Sequence, residues 1–229
     1  FSEAIAKQFS GLRVTEDNVK DVLRKLNLPE RPSLWKDKNI MEFASALRRV
    51  SKPTIIAANK CDFPSAKENI KKLENAYPEF LIYSCSADSE LALRQAAKAG
   101  LIEYIPGDSD FKILKANEQQ KSALEKIKKN VLKEYGGTGV QEILNLAVFD
   151  LLKYIAIFPA GAHKLSDSKG NVLPDCFLLP PGSTALDFAY FLHTDFGKNF
   201  IKAIDARSKQ AKGKEYVLKH RDAMEIVCK

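Results

Sequence analysis

The stretch Pro53-Thr54-Ile55-Ile56-Ala57-Ala58-Asn59-Lys60-Cys61-Asp62 decides the fold. Its apolar, β-branched run has the length and composition of a strand buried on both faces, and a proline fits only at such a strand's start. The run ends in a polar tip that puts an amide, a long cationic stem and a carboxylate just beyond the strand's carboxyl end. In open α/β sheets ligands bind at that position.

A carboxylate fixed at such a tip can accept hydrogen bonds from two adjacent donors at once. Guanine presents that pair, its N1–H beside the exocyclic N2 amine, and adenine does not. A site built on Asp62 would therefore discriminate against adenine by several kcal/mol, because the buried carboxylate would be left unpaired. Asn59 is positioned to bond the base edge and neighbouring loops, and the Lys60 stem to lie along a ring face.

Upstream, the spacing predicts helices. Ile5, Phe9 and Leu12 keep one stripe, Thr15 caps a second helix with Val19, Val22, Leu23 and Leu26 inward, and residues 27–32 break the pattern. Asn39 to Glu42 has the form of a capping box. It precedes Ile40, Phe43, Ala44, Leu47 and Val50 at helical spacing, and that helix runs into the strand. Downstream the grammar repeats: a second capping box at Ser65 to Glu68, a stripe of Ile70, Leu73 and Tyr77, a stop at Pro78, and a second short strand over 80–83. A right-handed crossover of this length makes the two strands parallel, so both carboxyl ends open on one sheet edge. There Ser86 can hold Asp62, and the N–H of Ala87, whose side chain is small, can meet a guanine O6. Ser89 is expected to cap the following helix, with Leu91, Leu93, Ala96 and Ala97 inward and a stop at Gly100.

Asn59-Lys60-Cys61-Asp62 and Cys85-Ser86-Ala87 resemble the fourth and fifth guanine-recognition motifs of the P-loop GTPases, in order and at a compatible separation. The resemblance implies guanine-nucleotide binding by Asn59, Lys60, Asp62, Cys85, Ser86 and Ala87, with GTP as ligand and Mg²⁺ beside its phosphates. No G-x-x-x-x-G-K-[ST] phosphate loop occurs: Gly136-Gly137-Thr138-Gly139 lacks the lysine, and the Gly-Lys pairs at Gly197 and Gly213 lack the loop and the hydroxyl. The catalytic and phosphate-binding residues are therefore unknown and expected before Phe1. A start at Phe rather than Met, with no basic-then-apolar leader, reads as a fragment.

Two long helices follow. The first has Leu124, Ile127 and Val131 inward with Glu125 and Lys129 paired outside, and the second carries a broad apolar face from Val140 to Leu152. From Tyr154 the texture changes to short runs and turns: strands over 155–158 and 176–179 as antiparallel partners, a polar turn over 166–171, and a helix capped by Thr184 with Asp187. Its buried side is Leu186, Phe188, Ala189, Phe191 and Leu192, and strands over 200–205, 216–218 and 224–227 follow. The stretch Leu179-Pro180-Pro181-Gly182-Ser183-Thr184-Ala185-Leu186-Asp187-Phe188-Ala189, with His193-Thr194-Asp195, Leu218-Lys219 and Asp222, closely resembles a TGS domain. That implies a ubiquitin-like β-grasp fold found in translation-related proteins. His193, Thr194 and Asp195 themselves are read as a satisfied helix-end cluster.

Taken together the chain resembles the YchF branch of the Obg-related GTPases. Many YchF relatives end the fourth motif in Glu and prefer ATP, whereas Asp62 departs toward guanine. The expected organisation is a helical arm with its returning helix over 1–50, the C-terminal part of an α/β GTPase domain with long helices over 51–153, and a small α+β TGS domain over 154–229.

Composition sets outer bounds. The 229 residues are 45% hydrophobic, enough for one large or two modest domains. No apolar stretch reaches membrane-spanning length, since the richest region is broken by Asp150 and Lys153. Cys61, Cys85, Cys176 and Cys228 form no C-x-x-C pair and the histidines are isolated, so no metal site is expected. A cytoplasmic protein with reduced thiols is the corresponding expectation. The formal net charge is +7, and from Lys198 onward nine basic residues stand against four acidic ones. Lys209, Lys212, Lys214 and Lys219 are the candidate contacts to the ribosome or another structured RNA. The leading expectation is a translation-associated protein that binds GTP and hydrolyses it when complete. The alternative is a non-enzymatic adaptor that docks RNA or the ribosome through its TGS module.

Overall fold

The computed structural model describes residues 1–161, 165, 170–173 and 175–229. Within them the chain forms two units, Phe1–Leu144 and Asn145–Lys229. The division falls inside the helical run that begins at Val140. Among the described residues no helix is long and apolar enough to cross a membrane.

The first unit opens with α1 (Ser2–Gln8), α2 (Glu16–Lys25) and α3 (Asp37–Ser51). Thr15 caps α2 reciprocally: its hydroxyl accepts from Asn18 N at 3.2 Å, and the Asn18 side chain accepts from Thr15 N at 3.1 Å. Val19, Val22, Leu23, Phe43 and Leu47 close a small core between the helices. Phe9, Leu12, Ile40 and Val50 are exposed, contrary to the stripes expected for them. Phe9, Leu12 and Ile40 line an open apolar cleft beside Trp35. Asn39 does not start α3. The helix begins two residues earlier, and Asn39 sits inside its first turn, accepting from Lys36 N at 3.0 Å.

Next come β1 (Ile55–Ala58), α4 (Ala66–Ala76), β2 (Leu81–Ser84) and α5 (Ala87–Lys98). β1 and β2 pair in parallel, Ile55 opposite Leu81 through Ala58 opposite Ser84. Parallel pairing brings both strand ends to one edge, as the strand–helix–strand reading requires. β1 is only half-buried, with Ala57 exposed, because this sheet is two-stranded. Ser65 makes no side-chain cap to α4, and Tyr77 is exposed. The α5 cap is Ser86 rather than Ser89, its hydroxyl accepting from Ser89 N at 3.4 Å, and Leu91 points outward.

β3 (Ile102–Glu103) and β4 (Lys112–Ile113) form an antiparallel pair. α6 (Glu118–Ile127) continues through a π-helical segment, Lys128–Leu132, into α7 (Lys133–Tyr135). Its ion pairs are Glu118–Lys121 and Asp110–Lys128 rather than Glu125–Lys129. Gly136, at φ +78°, ends the run in the left-handed conformation that favours glycine. Leu93, Ile102, Tyr104, Phe111, Leu124 and Leu132 form the core here. α8 (Val140–Asn145) leads through a second π-helical segment, Leu146–Leu151, into the other unit.

That unit contains β5 (Ile155–Pro159), β6 (Phe177–Leu179), α9 (Ala185–Leu192), α10 (Thr194–Lys198), β7 (Phe200–Asp205), β8 (Ala211–Lys212) and β9 (Ala223–Cys228). They make a five-stranded sheet in the order β6-β5-β9-β7-β8, with β5 parallel to β9 and the other neighbours antiparallel. α9 packs Ala185 and Phe188 against Ile157, Leu179, Ala203 and Met224. The Thr184–Asp187 capping box forms as expected, but Phe191 is exposed. Residues 216–218 are not a strand, since only Val217 bridges, to Thr184. Residues 166–169 of the expected polar turn lie outside the described residues.

Candidate functional site

Beyond β1 the chain turns at Lys60, whose φ is +66°. Two hydrogen bonds hold that uncommon conformation: Lys60 N donates to Asn59 Oδ1 at 2.8 Å, and Phe63 N donates to Lys60 O at 3.2 Å. Asn59 also spans to the loop after β2, its Oδ1 accepting from Ala87 N at 3.1 Å and from Cys85 Sγ at 3.9 Å. Three donors on one oxygen orient the amide, so Nδ2 faces away from them. The Ala87 N–H expected to point at a ligand is thus engaged by Asn59, and the outward donor at this corner is the Asn59 amide.

Asp62 is held from the second loop. Ser86 Oγ donates to Asp62 Oδ1 at 2.8 Å and shares a 2.8 Å hydrogen bond with Ser89 Oγ. Ser86 is buried, so one hydroxyl caps α5 and aligns the carboxylate across the two loops. Among the described residues Asp62 Oδ2 has no hydrogen-bond partner, which leaves it available to a donor from outside. The loops are also joined through the backbone, Cys85 N to Ala58 O and Cys61 N to Cys85 O, each at 3.0 Å. Cys61 and Cys85 lie buried beneath them. Burial, with the Asp62 charge, pushes the Cys61 thiol up to about 11, and burial raises Cys85 as well.

Sequence reasoning missed what lies behind this corner. Residues 136–139, read as a helix stop at Gly136-Gly137 and as a phosphate loop without its lysine, pack against the second motif. Thr138 O accepts from Ser86 N at 2.9 Å. Gly139 has φ +78°, and a Cβ there would strike the Ser84 carbonyl oxygen and come within 3.0 Å of the Cys85 Cα. The fully buried Thr138 hydroxyl donates to Glu90 Oε2 at 2.6 Å. Glu90, only 4% exposed, also accepts from Tyr104 Oη at 2.8 Å and from Arg94 Nε at 2.6 Å. Burial pushes its carboxyl upward, but the Thr138, Arg94 and Tyr104 hydrogen bonds outweigh that and hold it below the ordinary glutamate value. Tyr104 is correspondingly driven up to about 12 by burial and the bond to Glu90. The sequence signal is three glycines and a threonine after a helix end, which marks a turn but not its contacts.

The candidate lysines lie in the second unit. Lys209 adopts φ +61°, and Lys212 sits 5.1 Å above the Tyr216 ring and donates to Gln210 Oε1 at 3.0 Å. Lys214 lies 3.9 Å from Glu215, and Lys219 is exposed while its backbone N–H donates to Asp222 Oδ2 at 2.9 Å. His193 caps α10, its Nδ1 accepting from Asp195 N at 3.2 Å. Among the described residues no group of three or more His, Cys, Asp or Glu side chains is arranged to hold a metal ion.

Comparison with known proteins finds matches to two stretches of the chain. Residues 57–161 match the family described as Obg-like GTPase YGR210-like, G4 motif-containing domain, and residues 167–228 match the TGS domain. A GTP-binding protein of Methanocaldococcus jannaschii, otherwise uncharacterised, is 46% identical over 229 residues, an alignment covering 98% of this chain and 57% of the relative. One of Schizosaccharomyces pombe is 32% identical over 194 residues, covering 79% of this chain and 47% of the relative. The crystal structure of a GTP binding protein from Pyrococcus horikoshii OT3 superposes with a TM-score of 0.70 at 44% identity, covering 99% of this chain and 60% of that one. The chain thus spans about half the length of the curated relatives it matches. Residues 57–161 thus carry a G4 motif-containing domain of the YGR210-like Obg-like GTPase family, and it is followed by a TGS domain.

Proposed function

We propose that this chain supplies the guanine-recognition half of a GTP-binding site, in a protein that hydrolyses GTP when complete and works in association with the ribosome or another structured RNA. The observation that carries the reading is the aligned Asp62 carboxylate, braced by Ser86 from the neighbouring loop with Oδ2 left for a ligand. A guanine edge placed there would give its N1–H and N2 amine to Asp62, and the Asn59 Nδ2 would donate to O6 or N7. The similarity to GTP-binding proteins of two organisms supports the same ligand. The donor set fits a base rather than phosphates, so Mg²⁺ ligands and the residues that activate water are not assigned to this chain. In this reading residues 1–50 are a helical arm, 51–153 belong to the GTPase domain and 154–229 to the TGS module. Lys209, Lys212, Lys214 and Lys219 then contribute the basic surface that meets RNA in the cytoplasm.

The test is Asp62→Asn in the full-length protein. An amide cannot accept both guanine donors, so the preference for GDP over ADP should fall by about a hundredfold or more. An unchanged preference would remove the base-recognition assignment.

A further inference from the structure

We propose that residues 135–139 are the positioning element of the base site, a clamp that sets how sharply guanine is distinguished from bases lacking its amine. The inference rests on the guanine reading above. A single turn reaches both recognition loops. Tyr135 Oη donates to Cys61 O at 3.0 Å, next to Asp62, while Thr138 O takes the Ser86 N–H at 2.9 Å, next to the hydroxyl that aligns Asp62. Gly139 seats its Cα against Ser84 and Cys85, a close approach that any side chain would prevent. The turn is itself anchored, because the Thr138 hydroxyl is bound to buried Glu90 in the first turn of α5.

The two loops therefore share a third support besides their mutual hydrogen bonds. Discrimination depends on that support more than affinity does. Two parallel hydrogen bonds from N1–H and N2 form together only while the carboxylate plane keeps its angle, and a small rotation forfeits the second. Tyr135, Thr138 and Gly139 touch no base atom, so they are positioning residues whose effect passes through Asp62 and Ser86.

The test compares GDP with IDP, whose hypoxanthine base lacks the exocyclic amine, by competition binding to the full-length protein. Tyr135→Phe and Thr138→Val each delete one hydroxyl with little change of shape. Each should reduce the GDP-to-IDP affinity ratio about three- to tenfold, the range of one hydrogen bond. Thr138→Ser, which keeps the hydroxyl, should restore the ratio. Gly139→Ala should reduce it further, and if that variant does not fold, Tyr135→Phe decides. A loss of global stability alone would lower the amount of binding protein and leave the ratio unmoved. If Asp62→Asn abolishes the ratio while Tyr135→Phe and Thr138→Val keep the wild-type value, the clamp is refuted and the base reading stands. If Asp62→Asn also leaves the ratio intact, both fall together.

Discussion

Replacing Glu90 by Gln isolates the buried anion behind the proposed base site. The carboxylate is almost wholly buried and accepts three hydrogen bonds, from Thr138, Tyr104 and Arg94. Hydrogen bonds to a charged acceptor contribute about 1.5–3 kcal/mol each and neutral ones about 0.5–1.5, so the amide forfeits roughly 1 kcal/mol per bond. Burying an amide is cheaper than burying an ion, which returns part of that sum. The net expectation is about 1–3 kcal/mol of local destabilisation. Amide exchange across α5, followed by mass spectrometry at neutral pH, should accelerate by about five- to 150-fold. The pH dependence supplies the sign. Glu90 has a depressed folded-state value, so its stabilisation is complete above the ordinary glutamate range near pH 4.3 and disappears as pH falls through the folded value. Wild type should therefore approach Glu90→Gln on acidification. Equal exchange at neutral pH, or a difference that does not shrink in acid, would refute the assignment of a stabilising buried anion.

Two further outcomes follow from the same geometry. Exposed Cys176 should react with a thiol reagent at pH 8 well before buried Cys61, held at about 11, and Cys85; rapid labelling of Cys61 in the folded protein would contradict its position beneath the loops. If the basic surface meets RNA, changing Lys209, Lys212 and Lys214 together to Ala should flatten the salt dependence of RNA binding by about 2–3 in log–log slope, measured by filter binding or anisotropy, whereas an unchanged slope would remove these lysines as RNA contacts.

What could be read from residues alone was whatever depends on neighbours close in sequence. Thr15 and Thr184 cap their helices because the reciprocal partner lies three residues on, and that spacing is visible in a string. Even the Asp62–Ser86 contact was legible, because parallel pairing brings two strand ends to one edge whatever else the chain does. Caps became ambiguous where two acceptors lay three residues apart. Ser86 outcompetes Ser89 because its extended backbone aims the hydroxyl back at the first helical turn, while Ser89 already lies within the helix. Stripe burial failed at Phe9, Leu12 and Ile40 for a different reason. Periodicity identifies an apolar face but not whether another element covers it.

The role of residues 136–139 was illegible in a stricter sense. Its evidence is a carbonyl accepting from Ser86, a missing Cβ against Ser84 and Cys85, and a hydroxyl on Glu90, partners some fifty positions away that no local spacing encodes. A search for phosphate loops discards Gly136-Gly137-Thr138-Gly139 because the lysine is absent. The same absence fits a turn that meets protein backbone instead of phosphate, since Gly139 and the Thr138 carbonyl serve that contact without any cation. The residues that recognise a ligand announce themselves by side-chain chemistry. In the proposed clamp the contacts that reach the two loops end on backbone atoms, the Cys61 carbonyl and the Ser86 N–H, which every sequence contains.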